Sequence, residues 1–85
     1  MALGQTRYAL LVHLAWELRS QAISSSLLVP CDREPLLSVH GRRGQSDIVL
    51  AAQCGELWRL VWRGTELDAR DLPAAARHIA LRSAA

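Results

Sequence analysis

Leu57-Trp58-Arg59-Leu60-Val61-Trp62-Arg63-Gly64 holds two of the three tryptophans of this chain and reads as a short β-strand. Successive side chains of a strand point to opposite faces, so Trp58, Leu60 and Trp62 share one face and Leu57, Arg59, Val61 and Arg63 share the other. The first face is wholly apolar and the second mixed and basic. That split belongs to an open sheet which meets a core on one side and water or a partner on the other.

On the C-terminal side, Gly64 closes the strand and residues 65–70 are expected to cross to a final helix. Asp71 is the expected N-cap, Pro73 is tolerated in the first turn, and Leu72, Ala76 and Ile79 form a narrow buried stripe. On the N-terminal side, Cys54-Gly55-Glu56 is a tight turn after a strand over residues 48–53. Residues 41–47, bracketed by glycines and carrying Arg42 and Arg43, make an exposed loop. The strand before it, residues 35–40, sends Leu37 and Val39 one way and Leu36, Ser38 and His40 the other. Leu27-Leu28-Val29 is a first short strand stopped by Pro30, and the serines at 24–26 read as the exit from a helix.

That helix spans residues 5–22. Leu11, Ala15, Leu18 and Ala22 recur in one row with Tyr8, Val12 and Leu14 beside it, while Thr6, His13, Glu17 and Ser20 leave only a narrow polar stripe. Leu10 and Trp16 border the stripe. An apolar arc this wide is expected to meet a second surface besides its own sheet. The expected fold is therefore α+β and two-layered: helix, four-stranded antiparallel meander, helix, all in one domain over residues 1–85. Short connections favour the antiparallel order.

Composition narrows the function classes. Hydrophobic residues make up 51% of the 85-residue chain and charged residues 21%, which predicts a folded core and excludes a disordered tail. A domain this small buries only about 60% of the surface its unfolded chain exposes, so a partner or a second copy is expected to add stability. The net charge of +2 is too small to argue for nucleic-acid binding by itself. The apolar run from Tyr8 to Trp16 is interrupted by His13 and is shorter than the roughly 20 residues a membrane span needs. A cytoplasmic protein with reduced Cys31 and Cys54 is the expectation.

No catalytic, metal or cofactor motif emerges. His13, Cys31, His40 and Cys54 lack the close spacing of a zinc site. Ser24, Ser25, Ser26 and the two cysteines are nucleophiles by type, yet none sits in a G-x-S-x-G elbow. Arg42, Arg43, Arg59 and Arg63 are the candidate phosphate contacts of an alternative, nucleic-acid-binding reading. Against it, the tryptophans lie on the opposite strand face from Arg59 and Arg63, so stacking and cationic contacts would not converge.

All ten basic residues are arginine, and lysine, asparagine and phenylalanine are absent, a bias of GC-rich genomes. The strand from Trp58 to Gly64, followed by the segment from Asp71 to Ala80 with its Arg77-His78-Ile79-Ala80 end, resembles the C-terminal half of small uncharacterised actinobacterial proteins. In those proteins a tryptophan-rich strand leads to an alanine-rich helix. The resemblance implies an accessory role beside a helix-turn-helix regulator and supplies no functional residue. In architecture alone the chain is also similar to small secretion chaperones. The reading adopted is a non-enzymatic accessory or regulatory protein that binds protein, itself included as a homodimer, with Leu10 and Trp16 at the interface. Nucleic-acid binding is the alternative, and a small enzyme the third reading.

Overall fold

A computed structural model describes residues 3–41 and 44–83. The order is α1 (Leu3–Ser20), β1 (Ser24–Leu28), β2 (Leu36–His40), β3 (Ser46–Cys54), β4 (Leu57–Trp62), β5 (Thr65–Asp68) and α2 (Leu72–Ser83). The five strands form one antiparallel sheet in the sequential order β1-β2-β3-β4-β5. The α+β class and the antiparallel meander agree with the reading of the sequence, but the sheet has five strands where four were expected.

The fifth strand comes from the segment read as a crossing. Trp62 pairs with Thr65, so Arg63-Gly64 is a two-residue hairpin loop, and both residues have positive φ (52° and 74°). That is the type I′ geometry, whose twist matches the flanking strands. At the β3–β4 hairpin Cys54 pairs with Leu57, and Gly55 supplies the positive φ of 64° that the first loop position needs. Only Leu67 of β5 is buried, because the alternation places Glu66 and Asp68 on the outer face.

The serines at 24–26 also behave differently from expectation: they belong to β1. The helix stops at Ser20, two residues early, in a Schellman closure. Ile23 N–H donates to Leu18 O at 2.9 Å and Ala22 N–H to Arg19 O at 3.0 Å, with Ala22 held at φ 61°. Ile23 is buried and completes the motif's apolar contact. An alanine in the left-handed region is strained by about 1–2 kcal/mol, more than the entropy glycine loses on folding. Ala22→Gly is expected to stabilise the domain by about 0.5–1 kcal/mol, read as a Tm rise of a few degrees. An unchanged or lowered Tm would contradict this account of the helix end.

Both helices cover one face of the sheet. α1 lies over β1, β2 and β3, α2 packs beside it against β5, and the helices touch each other. The inner rows follow from the register: Leu27, Leu37, Val49 and Trp62 are aligned across four strands, and Ala51, Leu60 and Leu67 across three. Leu11, Leu14 and Leu18 close the core from α1, and Leu72, Ala75, Ala76 and Ile79 from α2. As expected, Asp71 caps α2: Ala74 N–H donates to its Oδ1 at 3.1 Å. His78 is half-buried, its ring perpendicular to that of Trp62 with centroids 6.1 Å apart. No described helix is long and apolar enough to cross a membrane.

Candidate functional site

The inner face of β4 is held as its alternation implies. Leu60 and Trp62 are buried, and Trp58, half-buried, lies under the guanidinium of Arg7 at 5.4 Å. Arg7 Nε also donates to Ala51 O at 2.9 Å, which ties the start of α1 to β3. Nothing in the sequence pattern marks Arg7, because a lone arginine early in a helix looks like any solvated one.

Arg59 and Arg63 do not form a common basic patch. Arg59 is half-buried on the outer face, opposite Asp68. Arg63 sits in the hairpin turn, so its side chain leaves the strand alternation. It stacks on Trp62 at 4.6 Å, while its Nη2 and Nε reach Asp47 Oδ2 at 2.6 and 2.8 Å. Asp68 is further engaged by Arg70, whose side-chain and backbone N–H groups hold its carboxyl below the ordinary range. Arg42 and Arg43 lie outside the described residues.

One chain of catalytic residue types does assemble. Ser26 Oγ lies 2.9 Å from His40 Nε2, and Ser46 Oγ lies 3.1 Å from His40 Nδ1. A neutral imidazole has one N–H and one bare nitrogen, so one serine donates and the other accepts. The arrangement crosses β1, β2 and β3 on the open outer face, and its third member is a hydroxyl where a triad uses a carboxylate to stabilise the imidazolium. It reads as a cross-strand clamp. No cluster of metal-ligating side chains is found among the described residues, and Cys31 and Cys54 are free and exposed.

A wide apolar groove lies elsewhere, between α1 and the edge strand β1. Its volume is about 540 Å³, and it is lined by Val12, Ala15, Trp16, Arg19, Ile23 and Leu27 among others. Trp16 is 62% exposed, with the Arg19 guanidinium 5.5 Å over its ring. Leu10, the other residue expected at the interface, is half-buried and packs on the core. A second apolar surface occupies the outer sheet face, where Leu28, Ile48, Leu50 and Leu57 are exposed. Comparison with protein-family models, with curated proteins and with solved structures gave no match.

Proposed function

We propose that this chain is a non-enzymatic binding module that recognises protein, a second copy of itself included, through the groove between α1 and β1. The observation that carries the reading is Trp16, a large aromatic left mostly in water beside an apolar groove. Tryptophan is the residue most enriched among those that anchor protein interfaces. An accessory role beside a regulatory protein fits such a module. The half-burial of Leu10 makes it a support for the surface, leaving Trp16 as its anchor.

Phosphate binding has less geometric support. Asp47 already neutralises Arg63, and Asp68 lies opposite Arg59, so two of the four candidate arginines face carboxylates within the chain. Salt separates the readings. Four phosphate contacts would lose roughly three orders of magnitude in affinity over a tenfold rise in salt, whereas apolar association is not weakened. Self-association followed by sedimentation should therefore be nearly constant across that range. Micromolar binding of an oligonucleotide at physiological salt, abolished by Arg42→Ala with Arg43→Ala, would overturn the proposal.

A further inference from the structure

The two edges of the sheet are built differently. β5 ends one side with four residues, two of them carboxylates, which is how natural sheets discourage pairing with another chain. β1 ends the other side with Ser24-Ser25-Ser26-Leu27-Leu28, without charge, proline or glycine. Pro30, expected to stop this strand, falls two residues beyond its end, and Pro35 precedes the interior strand β2. An unprotected strand edge therefore borders the groove that Trp16 and Leu27 line.

We infer that β1 is completed by β1 of a second copy, antiparallel about a two-fold axis at Ser26, giving one continuous ten-stranded sheet across two chains. The inference rests on the reading of this groove as a binding surface, and it names the occupant. An edge strand offers a row of unpaired backbone N–H and C=O groups, so the partner it fits is another extended strand. The sequence of β1 suits itself. Pairing about Ser26 sets Ser24 opposite Leu28 of the partner subunit and Ser25 opposite Leu27 of the partner subunit, so every leucine meets a small serine. No like charges meet along the strand. A two-fold contact also brings both copies of α1 to the same face of the joined sheet, flanking the axis, where each Trp16 can lie between them.

Cysteine cross-linking tests the register. In a chain carrying Cys31→Ser and Cys54→Ser, Ser26→Cys places two thiols directly opposite each other, with Cα atoms about 4.5–5.5 Å apart, within disulfide reach. Ser24→Cys would put its two thiols about 14 Å apart along the strands, beyond reach. Under mild diamide oxidation the first variant should become a covalent dimer and the second should not, both keeping the wild-type circular dichroism. A wild-type dimer in which neither variant cross-links, or both do equally, overturns strand pairing and moves the contact to another surface such as the outer sheet face. A wild type that stays monomeric overturns it too, while leaving the groove as a site for a different protein. Oligonucleotide binding through Arg42 and Arg43 would instead remove the binding reading on which this rests.

Discussion

Trp62→Ala is expected to destabilise the domain by about 3–5 kcal/mol, the range for emptying a large aromatic site in a core. Trp62 is 2% exposed and stands in the row formed with Leu27, Leu37 and Val49, with the ring of His78 from α2 perpendicular to it and Arg63 over its ring. Its removal therefore opens a cavity where β4, the hairpin and α2 meet, a place that cannot collapse without moving all three. A small domain has a total stability of about 5–15 kcal/mol, so the variant should be partly or wholly unfolded at 37 °C. Trp62→Phe should cost clearly less, because it refills most of the site and removes an indole N–H that is buried without a partner among the described residues. Thermal unfolding by circular dichroism decides the matter. A Tm for Trp62→Ala within a degree of wild type would mean that β4 does not turn this residue inward.

The elements legible in the sequence are those with a strong period or a strong stop signal. β4 alternates over its whole length, and Asp71-Leu72-Pro73 marks the start of α2 as a cap followed by a proline that needs no N–H donor. β5 was hidden because it has only one core residue, Leu67, between two carboxylates. The readable sign was Arg63-Gly64 at the end of a strand, a two-residue loop with glycine where type I′ geometry asks for it. β1 was half hidden because serine favours turns and caps by bonding to nearby backbone, so three serines after a helix look like its exit. Here register with Val39 and His40 overrides that preference.

Part of the candidate site was legible as well. The wide apolar arc of α1 marks Trp16 as either core or interface, and its 62% exposure takes it out of the core. The expected meander already places β1 at the margin of the sheet; what the sequence hid is that the strand runs over the serines and ends at Leu28, two residues before Pro30. The apparent alignment of Arg59 with Arg63 failed for a local reason. Positive φ at Arg63 takes its side chain out of the two-residue alternation and onto Trp62 and Asp47.

Trp16→Glu should leave stability within about 0.5 kcal/mol of wild type, since an exposed position makes few contacts to lose. Its effect belongs to association. Truncating or charging an aromatic anchor costs about 2 kcal/mol or more, so the dimer should weaken by roughly 30-fold or beyond. The charge would also face its own copy near the two-fold axis. Sedimentation of this variant at the concentration where wild type dimerises should show monomer. An undiminished dimer would place the contact away from α1.

The most direct test of the α1–β1 edge as the binding surface is amide hydrogen exchange of the wild type over a range of protein concentrations. Free, β1 has only β2 to bond to, so those of its amides that face outward should exchange fast; paired, they should be protected. Protection of the outward amides within Ser24–Leu28 should rise with concentration in step with dimer formation, while that of Thr65–Asp68 at the other edge stays unchanged. A dimer forming while the outward amides of β1 keep exchanging at the rate of the monomer would contradict it.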